Sequence, residues 1–343
     1  MSCLEEDALL DYLAGRLDGR ATSRAREHIA MCETCHAIAS DLVLSAAANV
    51  EQQRAIQPHV TSYELVRGAR VAGRYVLEAR LGEGAMGVVW RATRSEDGEQ
   101  VAIKLLKGFD RASRRRFLRE VSMAAALAHP CLVRVVEVLP DVEADCPALV
   151  LELLVGRPLS ARLAQGALTM DLARRSCADV ASALAYVHEQ GAIHRDLKPA
   201  NVFLVEPAAN HPGSVKVLDL GLATVGAPGQ ALAPTSRITR TGEAVGTPLY
   251  MAPELLAGGK ATPAADVWSL GVTMYEALTG QRPFAGPTSA ALLRDIRSSA
   301  GAPFARLQSA APPSLNTLLR AMLTEDASER PPMAAVAERL ASL

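Results

Sequence analysis

The spacing of apolar residues changes along the chain and divides it into parts. Over residues 1–55 apolar side chains recur every three or four positions, as in EEDALLDYLAGRL and TSRAREHIAMCETC, which predicts helices. Residues 56–72 show no sustained period, which predicts a linker. From Arg74 apolar and polar residues alternate in RYVLEARLGEGAMGVVWRAT and GEQVAIKLL, which predicts antiparallel strands. We therefore expect a helical domain at 1–55, a linker at 56–72 and a second domain at 73–343.

The second domain changes from strands to helices along its length. The segment ASRRRFLREVSMAAALA has a helical period, and the strand-like segments LVRVVEVL and ALVLELL follow it. After Pro158 the pattern is mostly helical, interrupted by a hairpin-like pair, VFLV and VKVLDLG, and by a long polar loop. The sequence thus predicts a strand-rich part followed by a helix-rich part.

Composition and charge exclude several classes of protein. The 343 residues are 49% hydrophobic and 21% charged, which is typical of a folded protein with a sizeable core. The net charge is −1 and no basic run is present, so no nucleic-acid partner is predicted. No segment approaches the roughly 20 apolar residues of a membrane span, and the acidic start does not resemble a signal peptide. We expect a cytoplasmic protein without membrane contact, in which the single cysteines 131, 146 and 177 are buried thiols.

A glycine-rich segment, G-x-G-x-x-G at residues 82–87, is the first candidate for chemistry. A Walker loop would need Lys-Ser or Lys-Thr next, and a Rossmann turn would open a helix, but the following VVW favours a strand. The remaining interpretation is a glycine hairpin that covers nucleotide phosphates, which predicts a lysine on the next strand. Lys104 supplies it, although only five of the 36 basic residues are lysines. Because arginine is the default cation here, each retained lysine indicates a need for a compact ammonium.

Three further motifs resemble those of the protein kinase family. They are HRDLKPAN at 194–201, DLG at 219–221 and APE at 252–254, in the family's order, and the resemblance covers Arg74 to Leu343. It implies an α+β, two-lobed protein kinase fold. The DLK and GTPLY segments are similar to those of bacterial serine/threonine kinases rather than tyrosine kinases. The implied activity is transfer of the γ-phosphoryl group of ATP to serine or threonine hydroxyls of protein substrates.

The resemblance also implies roles for individual residues. Lys104 would bind the phosphates and Glu120 would hold its ammonium, while Asp196 would accept the hydroxyl proton and Lys198 would stabilise the transferring group. Asn201 and Asp219 would supply oxygen ligands to Mg²⁺, with Mn²⁺ as an alternative. The nucleotide-binding residues would be Leu81, Gly82, Gly84, Gly87, Val89, Ala102, Lys104, Leu151, Glu152, Leu154, Phe203 and Leu218.

Support and regulation are implied in the same way. Asp266 would brace the catalytic loop, and Glu254 would pair with Arg330 as a buried lock. Arg195 is expected to be an unpaired buried charge until a phosphorylated loop residue binds it. The expected phosphorylation sites are Thr239 and Thr241, with Thr235 and Ser236 as less well placed alternatives.

The first domain carries a possible metal motif, H-x3-C-x2-C, formed by His28, Cys32 and Cys35. On a continuous helix these side chains fall within about 60°, so they could face one metal ion. Cys3 is the candidate fourth ligand and His36 a possible substitute. The pattern resembles the zinc-binding anti-sigma-factor domain, which implies Zn²⁺ and a small all-α domain. A c-type haem site at C-x-x-C-H, and a redox pair or buried thiols, remain alternatives.

The two domains leave two functions open. The resemblances together imply a kinase regulated through its amino-terminal domain. The alternative is a pseudokinase scaffold whose amino-terminal domain binds a transcription factor or another protein partner. The intact Lys104, Asp196 and Asp219 favour catalysis.

Overall fold

The computed structural model describes residues 66–84, 87–106, 127–140, 147–207, 214–219, 248–298 and 302–343. They belong to one unit, Val66–Leu343. The predicted domain at 1–55, with its candidate zinc ligands Cys3, His28, Cys32 and Cys35, lies outside the described residues, as do Glu120, Thr239 and Thr241.

An antiparallel sheet of six strands, in the order β1-β2-β3-β4-β6-β5, forms the first half of the described unit. Alternating patterns become strands because one face of the sheet packs on the core. Every residue of β4 after Gln100 is buried, so this strand is the centre of that half. The strands are β1 (Arg70–Val71), β2 (Tyr75–Gly84), β3 (Gly87–Arg94), β4 (Gln100–Leu106), β5 (Val135–Leu139) and β6 (Ala148–Glu152).

The glycine segment is a hairpin between strands, as the sequence predicts. Gly84 of β2 faces Gly87 of β3, and β3 then pairs along its length with β4. Gly87 has φ +150°, and a Cβ there would overlap the carbonyl oxygen of Leu105 on β4. Only glycine allows this close approach of two backbones. The register places Lys104 of β4 opposite Val89 of β3.

Helices form most of the second half. The central helix α4 is buried along nearly its whole length, and α2 packs against both α4 and the carboxyl-terminal helix α8. Thr169 caps α2 by accepting a hydrogen bond from the backbone N–H of Leu172. The helices are α1 (Leu159–Leu163), α2 (Met170–Glu189), α3 (Pro253–Leu256), α4 (Pro263–Thr279), α5 (Ser289–Ser298), α6 (Ala302–Ala310), α7 (Pro313–Met322) and α8 (Met333–Ser342).

A second sheet lies in the helical half. Its strands are β7 (Gly156–Pro158), β8 (Val202–Val205) and β9 (Val215–Val217), paired in that order. β8 and β9 correspond to the predicted hairpin-like pair. An isolated parallel bridge between Leu132 and Val217 extends β9 toward the segment that precedes β5.

The described elements agree with the expected α+β class. One boundary differs in detail, because β1 (Arg70–Val71) already pairs with β2 inside the segment expected to be a linker. A strand of two residues is too short to show a hydrophobic period, so the sequence pattern does not reveal it. Among the described residues, no helix has both the length and the apolarity that crossing a bilayer requires.

Candidate active site

A cavity of about 860 Å³ lies between the six-stranded sheet and the helical half. The glycine hairpin, the end of β6 and the segment after β6 line one side of it, and the 195–201 loop lines the other. All twelve residues predicted to bind nucleotide border this cavity. Four polar residues predicted for catalysis or metal binding border it as well: Asp196, Lys198, Asn201 and Asp219. Glu120 lies outside the described residues.

Lys104 and Asp219 meet inside the cavity although 115 positions separate them. Lys104 is buried, and its Nζ donates a hydrogen bond to Oδ1 of Asp219 at 2.6 Å. Asp219 has φ +58°, an unusual value for a residue other than glycine. Backbone strain of this kind concentrates at functional sites. The pair joins the central strand of the large sheet to the segment after β9.

A second polar group is built on the loop before β8. Lys198 Nζ donates to both carboxylate oxygens of Asp196, at 2.8 and 3.0 Å. Asn201 Nδ2 donates to the carbonyl oxygen of Asp196 at 2.7 Å and to its Oδ2 at 3.2 Å. A 3₁₀ turn at Pro199–Asn201 brings the three side chains together. Asp196 is therefore held from two sides.

Asp266 of α4 holds this loop by hydrogen bonds to its backbone, as expected from the sequence. Its side chain is fully buried and accepts the backbone N–H groups of His194 and Arg195, each at 2.8 Å. His188 Nε2 also lies 2.7 Å from Oδ2 of Asp266. These contacts hold Arg195 at φ +68° next to Asp196. Asp266 thus fixes the loop backbone by hydrogen bonds that its burial strengthens.

The oxygen donors of Asn201 and Asp219 fit a hard divalent cation. The backbone N–H of Leu218 donates to the carbonyl oxygen of Asn201 at 2.8 Å, which places Asp219 beside Asn201. Because Nδ2 of Asn201 is used by Asp196, its amide oxygen is the atom left for another partner. A carboxylate and an amide oxygen are ligands that Mg²⁺ accepts.

The expected pair of Glu254 and Arg330 is confirmed. Two parallel bonds join them, Nη1 to Oε1 at 2.8 Å and Nη2 to Oε2 at 2.9 Å. Arg330 also donates to the carbonyl oxygens of Thr324, Ala264 and Glu325. This ion pair therefore joins the start of α3 to the segment before α8.

The expectation of a buried charge at Arg195 is wrong. The residue is exposed, and among the described residues its side chain has no ion-pair partner. Its backbone is anchored by Asp266, and the residue borders the cavity. Burial depends on what packs over a loop, which the local motif does not specify.

Sequence reasoning missed several groups at the site. Lys216 forms an ion pair of 2.7 Å with Glu152, which borders the cavity. His188 contacts Asp266, and Gly156 packs its backbone against β8. The scarcity of lysine was the one signal that could have singled out Lys216.

Comparisons with known proteins agree with this geometry. The model of the family described as "Protein kinase domain" matches residues 75–340. Serine/threonine-protein kinase PkaA of Streptomyces coelicolor is 39% identical over 277 residues, which cover 76% of this chain and 48% of PkaA. The DNA damage-responsive serine/threonine-protein kinase RqkA of Deinococcus radiodurans is 37% identical over 235 residues, which cover 67% of this chain and 33% of RqkA. The chain spans about half or less of the length of these curated relatives.

A solved structure shares the fold. The crystal structure of Rad53 1-466 in complex with AMP-PNP aligns with a TM-score of 0.61 at 24% identity, over 78% of this chain and 65% of that chain. The match of the family model spans both the sheet and the helical half, and it contains every polar group of the cavity described above. This chain belongs to the protein kinase family.

Proposed function

We propose that the chain is a serine/threonine protein kinase that transfers the γ-phosphoryl group of ATP to protein hydroxyls. One observation carries this proposal: a single cavity gathers Lys104 and Asp219 on one side and Asp196, Lys198 and Asn201 on the other. Phosphoryl transfer needs mainly positioning and neutralisation of charge, and this set supplies both.

Each residue has a distinct task in the proposed reaction. Lys104 binds phosphate oxygens, and its burial strengthens that contact. Asp196 orients the acceptor hydroxyl and takes its proton, while Lys198 places a positive charge beside the transferring group. Asn201 and Asp219 hold Mg²⁺, which neutralises phosphate charge when bound. The apolar side chains of Leu81, Val89, Ala102, Leu151, Phe203 and Leu218 enclose the adenine.

The choice of serine and threonine as acceptors is supported by two facts. Lys198 contacts Asp196 from two positions further along the loop, as in the serine/threonine kinases that this chain resembles. The curated relatives PkaA and RqkA are both named serine/threonine kinases.

The test is phosphotransfer by the full chain with labelled ATP and Mg²⁺, followed by mapping of phosphorylated residues. We expect phosphoserine and phosphothreonine, and a loss of several orders of magnitude in Asp196→Asn and Lys104→Met with unchanged thermal melting. Lys260→Met, at an exposed lysine away from the cavity, is the control for loss of one ammonium. A folded parent chain that binds ATP without transferring phosphate would favour the pseudokinase scaffold.

Activation is proposed to depend on phosphorylation of Thr239 or Thr241. Arg195 is exposed and directly precedes Asp196, and its guanidinium can donate charge-assisted hydrogen bonds to a phosphate. Thr239→Ala/Thr241→Ala should lower turnover on a generic protein substrate, as should Arg195→Gln. Unchanged turnover, with no phosphate at either threonine in the parent chain, contradicts this mode of activation.

For the amino-terminal residues we propose a zinc-binding unit that contacts a transcription factor or another protein partner. The proposal is supported by the spacing of His28, Cys32 and Cys35, with Cys3 as the fourth ligand. Metal analysis of freshly reduced chain should find about one zinc ion per chain, and Cys32→Ser/Cys35→Ser should lose it without losing kinase activity. Absence of zinc, or a haem absorption band, would contradict the proposal.

A further inference from the structure

Lys216 makes none of the phosphate contacts proposed above, yet its ammonium is shielded and paired. It lies in β9, three residues before Asp219, and 17% of its side chain is exposed. Its Nζ donates to Oε1 of Glu152 at 2.7 Å and to the carbonyl oxygen of Leu132 at 3.2 Å. Since only five of the 36 basic residues are lysines, a lysine at this position requires a physical reason.

Glu152, the partner of Lys216, ends β6 and borders the cavity. Its backbone N–H donates to the carbonyl oxygen of Arg134 at 3.0 Å, and its Oε1 accepts the backbone N–H of Arg134 at 2.8 Å. Oε1 of Glu152 therefore receives two donors, Lys216 Nζ and Arg134 N. The backbone of Glu152 is therefore held by segment 131–134, and its side chain by that segment and by β9.

The segment 131–134 completes the arrangement. The N–H of Val133 donates to the carbonyl oxygen of Val217 at 3.0 Å, and the N–H of Val217 donates to that of Cys131 at 2.7 Å. The segment is therefore joined to β9 by backbone hydrogen bonds. Lys216 links three elements by hydrogen bonds: β9, segment 131–134 and the end of β6. Its two acceptors belong to two of these elements, and the lysine itself belongs to the third.

We propose that Lys216 is a positioning residue for the adenine base, acting through the carboxylate of Glu152. Residues 152–154 border the cavity. By holding the carboxylate, Lys216 fixes the orientation of their backbone, which would pair with the edge of the base. Without the ammonium, the carboxylate of Glu152 can turn to water, which releases the backbone N–H of Arg134. The inference rests on the proposed function, because it takes the occupant of the cavity to be a nucleotide.

The residue type at 216 agrees with this role. A compact ammonium can approach a carboxylate and a carbonyl oxygen on neighbouring elements, and both acceptors lie within 3.2 Å of Nζ. An arginine has a longer side chain and a planar fork, so it would displace one of the two acceptors. This accounts for lysine here in a chain that otherwise uses arginine.

The experiment measures binding of adenosine and of ATP to the full chain by calorimetry, and turnover beside it. Adenosine lacks phosphates, so it reports on the base contacts alone. We expect Lys216→Met to weaken the binding of both ligands by the same factor, about five- to ten-fold, the net scale of one ordinary hydrogen bond. Lys260→Met, the exposed control, should leave both affinities unchanged. In a Glu152→Gln background, Lys216→Met should cause no further loss of affinity for adenosine or for ATP.

Other outcomes overturn the inference. A lower melting temperature with unchanged adenosine affinity would make Lys216 a purely structural residue. Weaker ATP binding with unchanged adenosine binding would place its effect on the phosphates through Asp219. If Lys216→Met does not fold, Glu152→Gln, which is of equal size, must show the same loss of adenosine affinity or the inference is wrong.

The result also separates the two proposals. A parent chain that binds adenosine more tightly than Lys216→Met does, but transfers no phosphate, refutes the proposed kinase activity alone. An active parent chain whose adenosine affinity is unaffected by Lys216→Met refutes the positioning role alone. A parent chain that binds neither adenosine nor ATP refutes both.

Discussion

Arg330 and Glu254 face each other across the helical half in a fork-to-fork ion pair, with 0% of the arginine side chain and 22% of the glutamate side chain exposed. The guanidinium also donates to three carbonyl oxygens and lies over the ring of Trp268, 5.0 Å from its centroid. Each nitrogen of this guanidinium therefore donates to an acceptor, which offsets the cost of removing its charge from water.

The first prediction concerns this pair. Arg330→Met should lower the free energy of unfolding by about 3–5 kcal/mol, because it leaves the carboxylate of Glu254 without its partner. Denaturant unfolding of the single variants and of Arg330→Met/Glu254→Leu checks it. We expect the double variant to lose less than the sum of the two single losses, and strict additivity would show that the pair is not coupled. Arg330→Lys should not restore stability, since an ammonium cannot form the parallel bonds.

A second prediction concerns Asp266, which holds the backbone before the catalytic loop. Asp266→Ala should leave the N–H groups of His194 and Arg195, which now bond to a buried carboxylate, without that acceptor, at a cost of about 1–3 kcal/mol for a buried group such as the N–H of His194. The loop that carries Asp196 should then lose its fixed position, so we expect kcat to fall more than the melting temperature alone explains. Hydrogen exchange at the two amides is the direct measurement, and unchanged protection there would contradict the bracing role. Asp326→Ala removes an exposed 3₁₀-turn cap elsewhere and serves as control.

A third prediction uses two glycines with positive φ. Gly156 has φ +148°, and a Cβ there would overlap the carbonyl oxygen of Leu204 and touch the ring of Phe203 on the cavity wall. Gly166 has φ +113° and open space around it. Both alanine substitutions should cost the roughly 1–2 kcal/mol of an unfavourable φ. Gly156→Ala should cost more and also weaken ATP binding, because β7 must move away from β8. Equal stability losses with equal ATP affinity in the two variants would refute the packing argument.

A fourth prediction concerns two thiols. Burial raises the pKa of Cys131 to about 11 and that of Cys177 to about 12, and the charge of Asp179 acts in the same direction. At pH 8 the thiolate of Cys131 should therefore be about 100-fold rarer than that of an ordinary cysteine. Alkylation followed by peptide mapping should label both residues slowly in the folded chain and rapidly in denaturant. The expectation of a buried thiol is confirmed for Cys177 but not for Cys131, which is half-buried, and Cys146 lies outside the described residues. Rapid labelling of Cys131 in the folded chain would contradict its raised pKa.

The raised pKa values of these two thiols also predict how the free energy of unfolding changes at alkaline pH. An acid whose pKa is raised by folding binds its proton more tightly in the folded chain than in the unfolded chain. The contribution of Cys131 and Cys177 is complete below their unfolded pKa, near 9, and is lost as the pH rises toward about 11 and 12. Cys177→Ala should flatten this part of the profile of unfolding free energy against pH. A profile that is identical in Cys177→Ala and the parent chain would refute the linkage.

Local motifs account for much of what could be predicted about the site. The glycine hairpin follows from turn and strand preferences over a few neighbouring residues, and Lys104 follows from the strand after it. Asp266 and the pair of Glu254 and Arg330 were inferred only by resemblance, since spacing alone does not bring residues 76 positions apart together. The interactions of Lys216 could not be inferred from the sequence, because they depend on how β9, β6 and segment 131–134 meet.

The sequence by itself determined the order of strands and helices and the glycine hairpin, because periodicity and turn chemistry act over short distances along the chain. The set of polar residues around the cavity was implied by the resemblance of its motifs to those of protein kinases. Tertiary structure decided the rest. It placed Lys104 against Asp219, left Arg195 exposed and paired the two-residue strand β1 with β2. It also gave Glu152 a lysine partner from β9. Each of these depends on contacts between distant segments, whose free energies are set by packing and burial rather than by any pattern of neighbouring residues.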